Sequence, residues 1–513
     1  MPEIYRELEK LADSDMYPFH MPGHKRNVES TPMKGAFRCD ITEIDGYDNL
    51  HDEKGIILEA EERANKLYGA DKTFFLVNGS TSGILSAISA VVPDGGCILA
   101  ARGSHKSFYN VAYLRHLNVY YLPYKLNKKY GIPEVYTSDD VAKELDLADE
   151  KKTKISAVFI TSPTYEGKCS DIKNIAFECH KRGIPLIVDA AHGAHFGLKN
   201  NDLKIELKEN EKCDKEDKEG KDVFTQKQLY PYNSIPEGAV TQGADIVIHS
   251  VHKTLPSMTQ TALLHIKGDL VDAEKIKRFL RIYQTSSPSY VLMASIDLCI
   301  KEMLENAEIF VEKLLEYRNR IHFGTINCKN LVVPAISDIQ DASKVVIYVK
   351  NATMTGQKLY DILREEYNLQ LEMAGEKYAL AIITGWDTDE GINRLITAIC
   401  EIDNKISHDA NEKSKIQNAN EVLDSECEII NLPERGMSVA EAWDAEKEEL
   451  QIDCAEGHIS GEFINLYPPG IPIIVPGERF EKKILNDIKR YYEEGLNLQG
   501  LTNRKGIICV KQK

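Results

Sequence analysis

No C-x-x-C pair occurs among the 11 cysteines, their number is odd, and no metal-ligand spacing joins them to histidine. A disulfide framework and a structural zinc site are therefore not expected, and reduced thiols in the cytoplasm are the reading that fits. Basic residues are in deficit: 63 Lys and Arg stand against 80 Asp and Glu, a formal net charge of −17. A sequence-independent nucleic-acid binder needs a basic face, so that class is set aside. No apolar run approaches the ~18 residues of a membrane span, and the start, "MPEIYRELEKLADSD", has no apolar signal core. Neither export nor a membrane is expected. Internal repeats are also lacking. What remains is a soluble globular composition, 42% hydrophobic and 28% charged, with a length suited to about three domains.

The stretch 244–266, "ADIVIHSVHKTLPSMTQTALLHI", sets a polar turn, Ser250 to Lys253, between two apolar strands. Lysine is rarely buried without a partner or a task. In an enclosed site its pKa falls until the free amine is a usable nucleophile or Schiff-base former. A surface turn lysine is the plain alternative, and the surrounding chain has to decide between them.

Upstream, a helical pattern from Ile56 leads to a strand at Thr73–Val77 and at once to "NGSTSGILSAISAVV". A strand, a turn of small residues and a helix start form an anion site, because free N–H groups, hydroxyls and the helix dipole point one way. The spacing is neither G-x-G-x-x-G nor a Walker loop, which favours a single phosphate over a dinucleotide or a nucleoside triphosphate. Strands at Cys97–Ala101, Val119–Leu122, Ile155–Thr161 and Leu186–Asp189 then alternate with helices at Lys106–His116 and Ile172–Arg182. This rhythm predicts an α/β fold with a mainly parallel sheet covered on both faces. Ligands of such sheets collect at the carboxyl ends of the strands. Those ends carry "RGSHKS", "TSPTYEG", "DAAHGAHFG" and "HSVHK".

The organisation expected is a loop-rich arm over residues 1–55, a large domain over 56–300, a smaller α+β domain over 301–403, a polar linker over 404–420 and a C-terminal α+β domain over 421–513. A charged insertion of about 199–238 interrupts the large domain; residues 199–222 hold 7 Lys and 9 Asp or Glu. It reads as a solvated excursion without a catalytic role. The C-terminal region is expected to open with a helix over "SVAEAWDAEKEEL" and to end with another.

Taken together, a Schiff-base lysine, a cradle for one phosphate and a strand-end carboxylate meet the needs of pyridoxal 5'-phosphate. Lys253 serves the aldehyde, the Ser80 to Ser82 helix start serves the phosphate, and Asp189 serves the ring nitrogen. No metal is called for.

The segments "FHMPGHK", "NGSTSG", "RGSHKS", "TSPTYEG", "DAAHGAHFG", "HSVHKTLPSMTQTALL", "QTSSPSYVLMASID" and "LYPPGIPIIVPGE", in this order, resemble the prokaryotic ornithine/lysine/arginine decarboxylases. These are fold type I, aspartate-aminotransferase-like enzymes, and the likeness is to their shorter, Gram-positive-type branch. The resemblance implies that Lys253 carries the cofactor linkage, with His252 and Ser250 beside it near the phosphate or the substrate carboxylate. It implies that His105 stacks over the pyridine ring, Ala191 lines the other face, Asp189 pairs with the ring nitrogen, and Ser80 and Thr81 hold the phosphate. His192 follows in the same loop with a less definite role. The activity implied is decarboxylation of arginine to agmatine, with lysine and ornithine as alternatives. An aminotransferase or other lyase of this fold is a rival, as is a non-catalytic regulator built on it. The resemblance also implies a homodimer or larger assembly with the site at the interface. His24, Lys25, Glu166, Ser286, Ser287 and Glu462 are the substrate or partner-chain candidates, the arm, the serines and the "SGEF" segment being able to reach across from the partner, and Asp45, Asp48, Glu166 and Glu462 are the carboxylates considered for the substrate's distal cation.

Overall fold

The structure, a computed structural model, describes residues 3–198, 234–335, 340–350, 354–409, 427–466 and 471–512. The charged stretch 199–222 and residues 410–420 of the expected linker lie outside the described residues.

The strands of the first half are β1 (Lys72–Leu76), β2 (Cys97–Ala100), β3 (Asn118–Tyr121), β4 (Tyr124–Asn127), β5 (Ile155–Thr161), β6 (Leu186–Asp189), β7 (Ile246–His249) and β8 (Ala262–Ile266). All but β4 join one sheet in the order β1-β8-β7-β6-β5-β2-β3. Pairing is parallel from β7 across to β3, and β8 runs antiparallel to both β7 and β1. Successive side chains of a strand face opposite sides, and the packing follows that period. On β5, Ala157 and Phe159 join the cluster under the helices Gly79–Val91 and Ala273–Tyr283, whereas Val158 and Ile160 join the one under Ser138–Glu150 and Ile172–His180. Burial on both faces is why these strands read as nearly unbroken apolar runs.

The helix Ser138–Glu150 was not anticipated from the sequence, although its start is marked. Thr137 and Asp140 form a capping box: the Thr137 side chain accepts from the Asp140 N–H, and the Asp140 carboxylate accepts from the Thr137 N–H.

A long helix, Tyr290–Thr325, broken at Asn306, leads into the smaller unit. There β9 (Leu331–Val332), β10 (Lys344–Val349), β11 (Met373–Ala374) and β12 (Tyr378–Ile382) are ordered β11-β12-β10-β9 against helices Gly356–Tyr367 and Asp389–Asp409. The last helix takes in the first six residues, 404–409, of the expected linker.

In the C-terminal region β13 (Cys427–Ile430) pairs with β4, and β14 (Lys447–Gln451) is the partner of a strand near the end of the chain. β15 (Ile464–Leu466) lies between β16 (Ile471–Ile474) and β17 (Leu498–Gln499), and β18 (Gly506–Val510) is the partner of β14. The helix expected over 438–450 stops at Asp444, and the helix-forming "EKEEL" is recruited as β14 by its register with β18. Cross-strand pairing overrides local propensity here. For the same reason the helix Lys482–Glu493 does not end the chain, since β17 and β18 follow it.

Residues 4–13 of the expected arm pack on the long helix. They form a helix with Ile4, Leu8 and Leu11 buried, and the Ile4 N–H donates to Asp297 Oδ2 at 2.9 Å on the long helix. The next residues differ: Met16, Tyr17, Phe19 and Met21 are exposed.

Candidate active site

The strand ends converge on a cavity of about 260 Å³. Its wall takes Ala101, Gly103 and His105 from beyond β2, and Thr161, Thr164 and Tyr165 from the end of β5. Asp189, Ala191 and His192 come from β6 and its loop, Ser250, His252 and Lys253 from beyond β7, and Gly79, Ser80 and Thr81 from the start of the helix Gly79–Val91. Each of the nine residues expected to hold the cofactor, Ser80, Thr81, His105, Asp189, Ala191, His192, Ser250, His252 and Lys253, lines this one space.

Lys253 sits in a single helical turn, Val251–Thr254, anchored by buried Val251 and Thr254. Its Nζ lies 3.0 Å from His192 Nε2. An ammonium can only donate, so His192 accepts there and its ring proton is on Nδ1. Burial pulls the Lys253 pKa below the ordinary lysine value, and Asp189 opposes this only in part. The His192 ring packs on Tyr165 with centroids 4.3 Å apart. Burial, with Lys253 nearby, holds its pKa well below the usual value, so it is neutral.

Asp189 ends β6 and accepts the Ala191 N–H at 3.1 Å. Burial pushes its carboxyl pKa up, and Lys253 and that N–H offset only part of the rise. His105 caps the helix Lys106–Leu114, its Nδ1 accepting the Ser107 N–H at 3.3 Å. That leaves the proton of the neutral ring on Nε2. Burial first, then Lys253, lowers its pKa to about 4. His252 Nδ1–H donates to the Thr261 carbonyl at 2.9 Å, and burial lowers its pKa as well.

Comparison with known proteins supplies the family. The profile "Orn/Lys/Arg decarboxylase, major domain" matches residues 2–229 and 226–370, and "Orn/Lys/Arg decarboxylase, C-terminal domain" matches 418–500. The chain belongs to the Orn/Lys/Arg decarboxylase family. It is 28% identical over 510 residues to the arginine decarboxylase of Bacillus anthracis, covering 97% of this chain and 94% of that one. The arginine decarboxylase of Bacillus subtilis is likewise 28% identical over 510 residues, covering 97% and 95%. Among solved structures, lysine decarboxylase A from Pseudomonas aeruginosa superposes with a TM-score of 0.75 at 20% identity, covering all of this chain and 80% of that one. The protein is thus a pyridoxal-phosphate-dependent decarboxylase of basic amino acids with an aspartate-aminotransferase-like fold.

The lining suits this decarboxylase cofactor. Thr161 Oγ1, Ser250 Oγ and His192 Nδ1 are buried and have no hydrogen-bond partner among the described residues. Orphaned buried donors and acceptors are costly, and a phosphorylated, polar heterocycle supplies partners for such groups. Asp189, whose burial is incompletely compensated, gains from a second cation such as a protonated ring nitrogen. Among the described residues no cluster of three His, Cys, Asp or Glu is disposed to hold a metal, and no helix is long and apolar enough to cross a membrane.

Neither the carboxylates considered for the substrate's distal cation nor the residues considered for reaching the site from a partner chain line this chain's own cavity. Glu166 is turned inward and accepts from the Tyr378 hydroxyl at 2.7 Å. Glu462 accepts from Trp443 Nε1 at 3.1 Å. Asp48 is occupied by the N–H groups of Lys54, Gly55 and Ile57. His24 Nε2 pairs with Asp40 at 3.1 Å and its ring stacks on Phe37, while Lys25 Nζ donates to the His20 carbonyl at 2.5 Å. Ser287 N–H bonds locally to Thr285, and Ser286 shares that exposed turn. The wall instead includes Tyr124, Glu134, Tyr136 and Tyr165, which sequence reasoning passed over. Glu134 Oε1 accepts from Asn127 Nδ2 at 3.0 Å and from Lys168 Nζ at 2.5 Å. Tyr165 adjoins Glu166 in a strand-end segment already singled out for its polar residues. The span 124–136 carries no comparable signal.

Proposed function

We propose that the substrate is arginine and the products agmatine and CO2. The observation that carries this reading is likeness over almost the whole chain to proteins named arginine decarboxylase. The tyrosine-rich wall is compatible with it, since a guanidinium stacks on aromatic faces in a way an ammonium does not.

When bound, the cofactor supplies an electron sink for the bond to the leaving carboxylate. In this reading Lys253 carries the covalent link, and burial keeps its amine available by lowering its pKa. Ser80, Thr81 and Ser250 hold the phosphate, Asp189 keeps the ring nitrogen protonated, and His105 and Ala191 bracket the ring. Nζ of Lys253 is the group that returns a proton to the substrate carbon. His252 is the weaker candidate, because its neutral Nδ1–H is committed to the Thr261 carbonyl. His192 accepts from Nζ and steers it.

The working unit in this reading is a cytoplasmic homodimer or larger. Exposed Met16, Tyr17, Phe19 and Met21 support a covered surface there, and the cysteines of the described residues are all free. The test is CO2 release from arginine, lysine and ornithine at matched concentrations. Arginine is expected to be preferred in kcat/KM by about 100-fold, and a higher value for lysine or ornithine rejects the assignment.

A further inference from the structure

Arg102 stands two residues beyond β2, and its side chain faces the C-terminal region. Arg102 and Glu478 are each 3% exposed. Arg102 Nε donates to Glu478 Oε1 at 3.2 Å and Nη2 donates to Oε2 at 2.8 Å, a two-pronged pairing. Nη1 donates to the Pro472 carbonyl at 3.0 Å and to Tyr109 Oη at 3.2 Å, and the Tyr109 hydroxyl donates to the Arg102 carbonyl at 2.6 Å. Glu478 is itself fixed: Oε2 accepts the Val475 N–H at 2.9 Å, and its carbonyl accepts the Ser460 N–H at 2.7 Å.

The pair is a cross-link between two regions at a sensitive place. Ala101, Gly103 and His105, on either side of Arg102, line the cavity. Ser104 Oγ donates to the Ala101 carbonyl at 2.6 Å, and a side chain at Gly103 would press on Tyr124. The loop therefore has little slack between Arg102 and the ring of His105. A buried ion pair adds little net stability compared with apolar residues of similar volume, whereas it does impose one geometry.

We propose that Arg102 and Glu478 are positioning residues, through which the C-terminal domain fixes the loop 102–105 and holds His105 at the cavity wall. The catalytic consequence rests on the reading that His105 faces the cofactor ring. The C-terminal domain is then a part of the active-site architecture, although Glu478 touches neither cofactor nor substrate.

The test uses the full-length holoenzyme with Arg102→Met and Glu478→Leu combined, which removes both charges and leaves neither unpaired. Expected are a cooperative unfolding transition, about tenfold faster hydrogen exchange of the 103–107 amides as the loop opens more often, a changed visible circular dichroism of the bound cofactor, and kcat lowered about 100-fold with KM little changed. Should that variant fail to fold, Glu478→Gln, which keeps the shape, is expected to move the same signals in the same direction. Unchanged exchange at 103–107 and unchanged cofactor dichroism in the folded variant overturn the proposal, whatever the Tm. His105→Ala separates the two claims. If it turns over at the normal rate, the reading of His105 fails, while faster exchange at 103–107 still upholds the positioning of the loop.

Discussion

Two lysines in neighbouring regions, Lys344 buried and Lys253 half-buried, have opposite surroundings. Lys344, at the start of β10 in the smaller unit, is 1% exposed and fully engaged: Nζ donates to Asp341 Oδ2 at 2.7 Å and to Ser343 Oγ at 2.8 Å. Asp341 is bound in turn to His195 Nε2 at 2.9 Å and to the Ser343 N–H at 2.8 Å. Its carboxyl pKa is pulled far down, because Lys344 and His195 together outweigh the cost of burial. Lys253, on the cavity wall, has a neutral histidine as its hydrogen-bond partner, and the charge of Asp189 makes up only part of its desolvation cost. A satisfied buried lysine acts as a structural rivet, while an undercompensated one is suited to the role of reagent proposed for Lys253. Sequence reasoning singled out the second through its strand-turn-strand setting and gave the first no attention.

Exchanging the two losses tests that distinction most severely. Lys253→Ala is expected to cut CO2 release by about a thousandfold or more, in the range seen when a nucleophile or base is removed, with Tm little changed. Lys344→Met is expected to cost about 3 kcal/mol or more of stability, because it leaves Asp341 buried without its cation, while the folded fraction keeps most of its turnover. Adding Asp341→Asn to Lys344→Met should recover much of that loss in a denaturant titration. If Lys344→Met instead abolished turnover at normal stability, the division between rivet and reagent would be wrong.

Asp189→Asn comes next. It keeps the shape and the contact to the Ala191 N–H region but cannot hold a proton on the ring nitrogen. We expect kcat to fall by about 100-fold, with cofactor still bound as judged by its absorbance. A variant with normal kcat would remove Asp189 from the assigned role.

These contrasts also mark what the sequence could disclose. Lys253, Asp189 and the Ser80–Thr81 helix start were legible because each sits at the end of a strand, and a parallel sheet gathers strand ends at one edge. Tyr124, Glu134 and Tyr136 were not, since they come from a segment between β3 and the helix Ser138–Glu150 whose path depends on β4 pairing with β13, about 300 residues away. Glu166 and Glu462 illustrate the converse. Their carboxylates suit a cation by chemistry, yet Tyr378 and Trp443 engage them elsewhere. The strand β14 was misjudged as helix because its partner β18 is remote in sequence. In each case a long-range pairing outweighed the local pattern.

Protons sharpen the comparison further. Burial lowers the pKa of His105 to about 4 and that of His249 to about 3. In the unfolded chain both titrate near 6.5, so between pH 6.5 and these values the unfolded state binds protons that the folded state refuses. Stability is therefore complete above pH 6.5 and is lost as pH falls through this window. His249, at the end of β7, pairs through Nδ1 with His265 Nε2 at 3.1 Å, and His265 Nδ1 meets Thr73 Oγ1 at 2.8 Å. Tm measured from pH 7 to 4.5 should decline steadily, and His249→Gln should decline less steeply. An equal slope in that variant would mean that His249 takes no part.

The smallest effect is expected at His192, the residue that most closely connects the reagent lysine to its surroundings. Its Nε2 accepts a hydrogen bond from the charged form of Lys253, and a partner of the charged form stabilises that form. His192→Phe keeps a ring against Tyr165 but removes the acceptor, so the Lys253 pKa should fall further below the ordinary lysine value. The readout is the rate at which cofactor-stripped protein regains its absorbance when pyridoxal phosphate is added, followed against pH, since the neutral amine is the form that reacts. The midpoint should move to lower pH, with kcat changed only about threefold, the size of a single hydrogen bond of modest strength. A midpoint displaced upward would show that the imidazole had been opposing the ammonium. In that case His192 would belong with Lys344, among the groups that depress the lysine, and the carboxylates of Asp189 and Glu372 would be left to hold the charge of Lys253 in place.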